Sequence, residues 1–381
     1  MRRHLYEAEH EDYRSRVREF LERVVVPANP TWIENGVVGD ELYTGLAEIG
    51  ALAHGMPAEY GGTGVADFRY NMILTEEATR LLVFPPIVGP SLVVDIIAPY
   101  LVDMGTEEQK ARWLPGVIRG ETVLGIAMTE PGTGSDLAGI RTTAVRDGDH
   151  WVVNGTKKFI GNGLNAGLLI VAARTSEDRH RGLTLLVVDT STPGYSARNL
   201  VKVGMAAHNT TEITFTDVRV PVADTLGTEG EGFRGLTRNL AQERVTASAH
   251  ALATARVGLD LTIDHVRSRE TFGKPIGANQ TVRFTIAELV TELDIAQSFV
   301  DDCVRALNAG DLTPVDAAEA KWWTTEFMWR VLDTGVQLHG GNGYLPEHPI
   351  TQLWLDSRAQ RIYAGSTEIM KDLIGKSLRL A

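Results

Sequence analysis

The chain has 381 residues, of which 43% are hydrophobic, so it can bury a large core divided between two or three domains. Acidic residues outnumber basic ones by 49 to 37, and the net charge of −12 argues against a nucleic-acid partner. Cys303 is the only cysteine, which excludes intramolecular disulfides and thiolate zinc sites, and we predict no metal site. Because the first residues lack the apolar run of a secretion signal, we expect a cytoplasmic protein.

The first 121 residues are expected to be helical. A stripe of apolar residues at helical spacing predicts a helix that Pro27 ends, and its members are Tyr13, Val17, Phe20, Leu21 and Val24. Residues 42–49 repeat the spacing and predict a second helix. Thr106 and Gln109 form a capping-box pattern, which predicts that another helix begins there.

The most apolar stretch, residues 81–102, is long enough to raise the question of a membrane span. Its interior holds an acidic residue and four prolines, namely Asp95, Pro85, Pro86, Pro90 and Pro99. Breaks of this kind favour a buried loop and a short helix over a helix in lipid. We therefore expect no membrane span.

From about residue 122 the period of the apolar pattern changes from that of a helix to that of a strand. The predicted strands cover residues 123–129, 142–146, 151–154, 157–160, 168–172, 183–189 and 211–216. Asp147-Gly148 and Asn154-Gly155 are expected to supply the positive φ angles of tight hairpin turns. This region is a predicted β-domain.

After the glycines at 227–232 the helical period returns and continues to the end of the chain. Three long helices are predicted over residues 231–266, 280–308 and 314–338. The expected domains are therefore an N-terminal helical domain (1–121), a middle β-domain (122–228) and a C-terminal helical bundle (229–381). The fold class is mainly α with a central β-domain.

Glu243 lies on the apolar stripe of the helix predicted over residues 231–266. A carboxylate buried among apolar side chains is costly unless it is paired or can take up a proton, so its position favours a raised pKa and a functional role. A structural alternative is a core salt bridge, with Arg244 or with a residue of another helix. The pattern alone leaves both readings open.

Two glycine-rich segments could hold a ligand. Residues 129–136 follow a strand and could present amides and hydroxyls to a phosphate, or form a plain surface turn. Residues 339–344 follow a helix, where their glycines could cap it or admit a ligand against bare backbone. Neither segment lies in a βαβ unit, so neither predicts a Rossmann site.

Taken together, the motifs of this chain resemble the acyl-CoA dehydrogenase family over essentially its whole length. The resemblance is carried by AMTEPGTGSD at 127–136, NGTKKFI at 154–160, RSRETFGK at 267–274, QLHGGNGY at 337–344 and RIYAGSTE at 361–368. It implies an N-terminal helical domain, a middle β-barrel or sandwich and a C-terminal four-helix bundle, assembled as a homotetramer or dimer. It also implies FAD as cofactor, an acyl-CoA substrate in fatty acid β-oxidation, and an electron-transfer flavoprotein as acceptor.

The resemblance implies roles for individual residues. The flavin ring and pyrophosphate would be held by Met128, Thr129, Gly134 and Ser135, with Phe159 against the isoalloxazine face. The ADP half of FAD in a neighbouring subunit would be bound by Arg269, Thr271, Phe272, Gln280, Gln337 and Gly341. Ser366 and Glu368 would also contact the cofactor. The predicted substrate contacts are made by Ser135, Arg244 and Tyr363.

Two departures from the family pattern affect the predicted chemistry. Many relatives carry a catalytic Glu where this chain has Ala364, but the isovaleryl and long-chain branches carry the base on the preceding long helix, and Gln242-Glu243-Arg244 fits them. Alanine keeps the backbone N–H that helps bind the thioester oxygen. The second departure is Gly161, where relatives usually have a Thr or Ser hydroxyl next to flavin N5. A backbone amide or water is expected to replace that hydroxyl.

The predicted reaction is the α,β-dehydrogenation of an acyl-CoA to a trans-2-enoyl-CoA. Glu243 removes the α-proton, the Ala364 amide and a ribityl hydroxyl of FAD stabilise the developing charge, and a hydride passes to flavin N5. Arg244 either contacts the pantetheine arm or tunes Glu243. The alternatives are a flavin-dependent oxidase or monooxygenase of the same fold, a dehydrogenase of carrier-protein thioesters, and a non-catalytic flavoprotein that binds a macromolecule.

Overall fold

The N-terminal region is helical, as predicted. The computed structural model describes residues 3–179 and 181–379. Within them, the helices before the first strand are α1 (Ala8–Phe20), α2 (Val26–Asn35), α3 (Asp40–Glu48), α4 (Arg69–Arg80), α5 (Phe84–Ser91), α6 (Ala98–Met104) and α7 (Glu107–Ile118). The capping box is confirmed, since Thr106 Oγ1 accepts a hydrogen bond from Gln109 N at 3.2 Å while Thr106 N donates to Gln109 Oε1 at 3.0 Å.

The prediction that Pro27 ends the first helix is wrong. A π-helical turn, Leu21–Val25, joins α1 to α2 without a break, and Pro27 lies in the first turn of α2. In this turn Val26 N donates to Leu21 O, five residues back. The wider turn accommodates a proline that has no N–H to donate and whose ring would crowd the carbonyl four residues earlier.

The prediction of a loop within residues 81–102 is also wrong, whereas the prediction that this stretch is buried is confirmed. A second π-helical turn, Leu92–Ile97, joins α5 and α6 into one helix, Phe84–Met104, which we call the core helix. By length and mean hydropathy (1.6) it is long and apolar enough to cross a membrane, but 67% of its most apolar window is buried inside the protein. Its buried side chains belong to the core beneath α1–α7.

The middle of the chain forms a sheet. Its strands are β1 (Leu124–Ala127), β2 (Thr143–Asp147), β3 (His150–Gly161), β4 (Leu168–Arg174), β5 (Leu183–Asp189), β6 (Tyr195–Asn199), β7 (Thr210–Pro221) and β8 (Thr225–Leu226). They run in the order β6-β7-β3-β2-β4-β5-β8, and β1 pairs in parallel with β4. The short strands β6 and β8 were not predicted.

The predicted turn at Asn154-Gly155 is wrong, because the two strands expected on either side of it form the single strand β3. The register of β3 against β7 shifts between Val153 and Gly155, which marks a bulge. A Cβ atom at Gly155 would lie 2.5 Å from Thr142 Oγ1, so close packing requires glycine there. The turn after Asp147 is confirmed, with Gly148 at φ 63°.

The C-terminal region is a helical bundle. Its helices are α8 (Gly232–Arg238), α9 (Leu240–Ser268), α10 (Gln280–Ala309), α11 (Pro314–His339), α12 (Pro349–Ser357) and α13 (Thr367–Ser377), with a hairpin of β9 (Glu270–Thr271) and β10 (Lys274–Pro275) between α9 and α10. Helices α9, α10, α11 and α13 make the four-helix bundle. The single helix predicted over 231–266 is divided at Asn239, a weak helix former with φ −99° and ψ 5°.

Candidate active site

The first turn of α9 is attached to the core helix through a carbonyl that a proline leaves free. Pro99 has no N–H, so it cannot donate to the carbonyl of Asp95 four residues earlier. Gln242 Nε2 donates to that carbonyl instead, at 2.7 Å. The contact fixes the position of Glu243, the next residue along α9.

Glu243 has an unsatisfied carboxyl oxygen in the interior. Its Oε2 atom is buried and has no hydrogen-bond partner, and within residues 3–179 and 181–379 the carboxylate makes no salt bridge. The core salt bridge considered from the sequence is therefore not found among these residues. Because buried polar atoms in native proteins are nearly always paired, this oxygen is available to a partner from outside the chain, such as a water or a ligand.

The surroundings of Glu243 raise its pKa to near neutral pH. Burial raises the pKa of Glu243 to about 7, against the smaller opposing effects of the Arg244 and Lys321 charges. After the larger contribution of burial, the Glu243 charge also raises the pKa of Tyr100 on α6 and of Tyr363. A carboxyl whose pKa lies near the working pH suits a general base.

Arg244 is 5% exposed and lies inside the same region. Burial lowers the pKa of its guanidinium, while the charge of Glu243 acts in the opposite direction, and its Nε atom has no hydrogen-bond partner. Its electrostatic coupling to Glu243 agrees with the internal tuning role predicted as one of two readings. The free Nε atom leaves a donor for a substrate group, so the second reading also stays open.

The turn at residues 363–365 lies next to Glu243 and has unusual backbone angles. Ala364 has φ 55° and Gly365 has φ 88°, so a residue with a Cβ atom occupies the left-handed region. Backbone strain of this kind is concentrated at functional sites, where the surrounding structure enforces it. Tyr363, which is 43% exposed, and Ala364 are therefore presented at the site by a strained turn.

Lys321 on α11 holds this turn from inside the protein. Its side chain is fully buried, and its Nζ atom donates to Gly365 O at 2.5 Å. Burial lowers the pKa of Lys321 to about 8, and its charge interacts with those of Glu243 and Arg244. Lys321 thus donates a hydrogen bond to the turn and also interacts electrostatically with Glu243.

A second contact secures the segment on either side of the turn. Glu326 on α11 accepts hydrogen bonds from Arg361 Nε at 2.8 Å and from Thr367 Oγ1 at 2.7 Å. These bonds hold the residues before and after the turn against the same helix. Helix α11 therefore determines where the Ala364 amide lies.

The β-domain contributes the predicted flavin residues Met128, Thr129 and Phe159 at one edge. Lys158 N donates to Thr129 O at 2.8 Å, which places the end of β1 beside Phe159. Phe159 is on a bulge, has φ 62° and exposes 63% of its surface. An apolar ring held outward by strained backbone fits a role in stacking on a planar ligand.

The glycine-rich segment after β1 leaves its backbone open. Gly134 and Ser135 are exposed, and the only neighbour that an added Cβ at Gly134 would meet is Thr129 Cγ2, at 3.9 Å. Ser135 is therefore accessible to a ligand, as its predicted contacts require. Gly161 ends β3 two residues after Phe159 and faces the core helix and His208.

A buried ion pair supports the edge of the β-domain that carries Met128. Lys157 is fully buried, and its Nζ atom donates to Glu130 Oε1 at 2.9 Å and to Met128 O at 3.1 Å. Glu130 also accepts hydrogen bonds from the backbone N atoms of Arg141 and Thr142. The pair fixes the carbonyl of a predicted flavin-binding residue.

We predict that Lys157→Met lowers the free energy of unfolding by about 3–5 kcal/mol, because it leaves the Glu130 carboxylate buried without its cation. Urea denaturation followed by circular dichroism measures the change. The exposed pair Arg198–Glu212 gives a matched control, and Arg198→Met should cost less than about 1 kcal/mol. Equal losses in the two variants would contradict the prediction.

The residues predicted to bind ADP lie together at the far end of the bundle. Helix α9 separates Glu243 from Ser268 by about 37 Å along its axis. There His265 stacks on His339 with ring centroids 4.2 Å apart, which brings the two chain segments of this set side by side. Thr271 is partly buried. The other residues of the set are exposed, namely Arg269, Phe272, Gln280, Gln337 and Gly341.

Phe272 is at the tip of the β9–β10 hairpin, with φ 52° and a fully exposed ring. Gly341 has open space where a Cβ atom would be. Their distance from Glu243 agrees with the expectation that this set serves the cofactor of a neighbouring subunit. Ser366 and Glu368 instead lie at the start of α13, just after the strained turn.

Sequence reasoning missed three residues that surround Glu243, namely Tyr100, Lys321 and the helix-breaking Asn239. Lys321 follows Ala317, Ala318 and Ala320 on α11, all of which are fully buried. A lysine in an apolar helical segment gives the same signal that identified Glu243. No comparable signal marks Tyr100, because a tyrosine in an apolar helix is ordinary core.

The fold and these residues together define an α–β–α enzyme with a buried candidate base in the helical bundle and an exposed aromatic ring on the β-domain. Three family models match the chain in order: acyl-CoA dehydrogenase N-terminal domain over residues 7–121, middle domain over 125–218 and C-terminal domain over 230–379. The chain therefore belongs to the acyl-CoA dehydrogenase family, as the sequence motifs predict.

Individual relatives agree with this assignment. The mitochondrial long-chain specific acyl-CoA dehydrogenase of Rattus norvegicus is 37% identical over 380 residues, which cover 99% of this chain and 88% of the relative. The crystal structure of an acyl-CoA dehydrogenase from Geobacillus kaustophilus superposes with a TM-score of 0.95 at 41% identity and covers 98% of this chain and 99% of that one. A glutaryl-CoA dehydrogenase from Mycobacterium smegmatis, solved in complex with FADH2, has a TM-score of 0.88 at 28% identity, with 98% and 95% covered.

Proposed function

We propose that this protein is an FAD-dependent dehydrogenase that converts an acyl-CoA thioester to a trans-2-enoyl-CoA, with Glu243 as the general base. The observation that carries the proposal is the buried, unpaired Oε2 atom of Glu243 beside the Ala364 turn. Similarity to a long-chain specific acyl-CoA dehydrogenase supports the substrate class. The length and branching of the acyl group are left to experiment.

The residues present fit a flavin. Phe159 offers an exposed ring, the segment containing Gly134 and Ser135 offers open backbone and a hydroxyl, and Met128 and Thr129 border the same edge. When bound, FAD supplies the two-electron acceptor for the hydrogen that leaves the β-carbon. Ser366 and Glu368 would complete the set in the same subunit, and the exposed set at the far end of α9 would serve a second subunit.

The protein's own part in the reaction is to accept a proton and to stabilise charge. The α-proton of a thioester is too weakly acidic for a carboxylate to remove unaided, so the enolate-like charge must be stabilised as it forms. The strained turn holds the Ala364 N–H at the site, and α11 fixes that turn through Lys321 and Glu326. Glu243, which meets no internal hydrogen-bond donor at Oε2, is free to take the proton.

Several properties extend this proposal. A homotetramer or dimer would place the far-end residues against a neighbouring cofactor, and exposed apolar side chains on α10, such as Phe284 and Ile295, would be covered in it. An electron-transfer flavoprotein is the proposed acceptor, and fatty acid β-oxidation in the cytoplasm is the proposed setting. The acidic net charge argues against a nucleic-acid partner.

The proposal is tested by purifying the yellow protein and titrating it anaerobically with acyl-CoAs of graded length and branching. Bleaching of the flavin absorbance by one class of acyl-CoA, with formation of an enoyl-CoA, is the expected result. If only carrier-protein thioesters bleached the flavin, the substrate would be an acyl group on a carrier protein and not an acyl-CoA. Failure of every acyl thioester to bleach a fully loaded protein would contradict the proposal.

The rate of bleaching is expected to depend on pH through Glu243. Its pKa of about 7 means that the carboxylate form is lost as the pH falls through 7, and only that form accepts a proton. The rate should therefore rise between about pH 6 and pH 8 and then level off. Stopped-flow measurements with FAD-loaded protein check this, and a flat profile over that range would contradict the assigned pKa.

A further inference from the structure

The space beside Gly161 is filled by the side chain of His208. A Cβ atom added at Gly161 would lie 3.0 Å from His208 Nε2 and 2.7 Å from Leu92 Cδ1 of the core helix. Both distances are shorter than ordinary contacts, so a side chain at 161 would force the imidazole at 208 and the Leu92 side chain to shift. Glycine at position 161 is thus coupled to histidine at position 208.

The backbone of His208 is firmly held, which fixes where its ring lies. His208 N donates to Met205 O at 3.1 Å, and Lys202 Nζ donates to His208 O at 2.8 Å. The next residue, Asn209, accepts a hydrogen bond from Leu164 N at 3.1 Å. The segment is therefore tied to the residues that follow Gly161 as well as to its own loop.

The imidazole is neutral and its nitrogens are free. Burial, followed by the Lys202 charge, lowers the pKa of His208 to about 3. The residue is 8% exposed, and its ring nitrogens make no hydrogen bond within the part of the chain that the structure describes. Unlike those of His54, these nitrogens are not completely buried, so they keep some accessible surface. A neutral imidazole carries one N–H donor and one acceptor, and both are therefore available to a bound molecule.

We propose that the His208 imidazole contacts bound FAD from the space that the absent side chain of residue 161 leaves open, with Nε2 as the contacting atom. Gly161 lies two residues beyond the exposed Phe159, so the free nitrogen borders the flavin edge. This inference rests on the proposed function only in that FAD is the ligand. It replaces the backbone amide or water expected there from the sequence.

The test measures FAD itself, without any acyl substrate. Apoprotein is reconstituted with FAD, and the dissociation constant and the visible absorption band are recorded for wild type, His208→Leu and His208→Asn. Loss of one neutral hydrogen bond should weaken FAD binding about three- to tenfold in His208→Leu and shift the band. His208→Asn, which keeps a donor, should stay closer to wild type. His54→Leu is the control, since His54 is partly buried, has buried and unpaired ring nitrogens, and lies in the N-terminal core.

A second pair of variants tests the same contact if His208→Leu folds poorly. Gly161→Ser should lower FAD binding, because its side chain crowds the imidazole, and His208→Ala added to it should recover part of the binding, because the serine hydroxyl can then take the place of the imidazole beside the flavin. Wild-type affinity and spectrum in His208→Leu would overturn the inference, as would equal losses in His208→Leu and His208→Asn, or additive effects in the double variant. Failure of the wild-type protein to bind FAD would instead contradict the proposed function.

Discussion

Replacement of Glu243 by glutamine is expected to slow the anaerobic bleaching of bound FAD by acyl-CoA by about 10²–10⁴-fold, the range that a positioned general base contributes. The amide keeps the shape of the carboxyl but cannot accept the α-proton. Because Glu243 is not among the predicted FAD contacts, the variant should still bind FAD with an unchanged spectrum. Stopped-flow absorbance under anaerobic conditions measures the rate.

The same variant should be more stable than wild type at alkaline pH. The pKa of Glu243 is about 7 in the folded protein, above its ordinary value of 4.5, so the folded state binds more protons than the unfolded state between these values. Stability of the wild type is therefore lost as the pH rises through this range, and glutamine does not share the loss. The excess melting temperature of Glu243→Gln should be larger at pH 8 than at pH 5.

Glu22→Gln, at an exposed position on the first π-turn, is the matched control and should change neither rate nor stability. Normal bleaching in Glu243→Gln would remove this residue from the mechanism. Slow bleaching together with lower stability at pH 8 would show that the variant fails for structural reasons.

Replacement of Lys321 by methionine is expected to lower the bleaching rate about 10²-fold, because the Gly365 carbonyl loses its donor and the Ala364 amide shifts with the turn. Loss of the buried cation also removes an interaction that lowers the pKa of Glu243. The pH at which the rate reaches half its maximum should therefore move above 7. A pH series of single-turnover bleaching rates measures both effects.

Lys321→Arg keeps the cation and should recover part of the rate and the wild-type pH midpoint. Lys376→Met, which removes an exposed lysine on α13, is the control for loss of a positive charge. If Lys321→Met is slow but keeps the wild-type midpoint, the residue supports the turn without acting on Glu243. A wild-type rate would contradict both roles.

The order of helical and β regions could be predicted from the sequence because the apolar period changes sharply near residues 122 and 230. The errors arose where tertiary contacts decide the local structure. Pro27 and the prolines of the core helix predicted helix ends, but in the structure π-helical turns join the helices into continuous ones. Gly155 read as a turn, but it is required by packing against Thr142 inside a strand.

The candidate site was predictable where a residue conflicts with its surroundings. Glu243 conflicts with its apolar stripe, and Ala364 and Gly161 depart from the family motif. His208 and Tyr100 conflict with nothing local, since their positions beside Gly161 and Glu243 arise only when distant segments meet. Proximity of this kind cannot be read from one sequence without coordinates.

The attachment of α9 to the core helix separates two properties that enzymes often have to change together. Gln242 recognises the main-chain oxygen of residue 95, and every amino acid has that oxygen. Side chains of the core helix can therefore be exchanged while Glu243, the proposed proton acceptor, stays where it is. A main-chain attachment of this kind makes the position of the acid independent of the side chains around it.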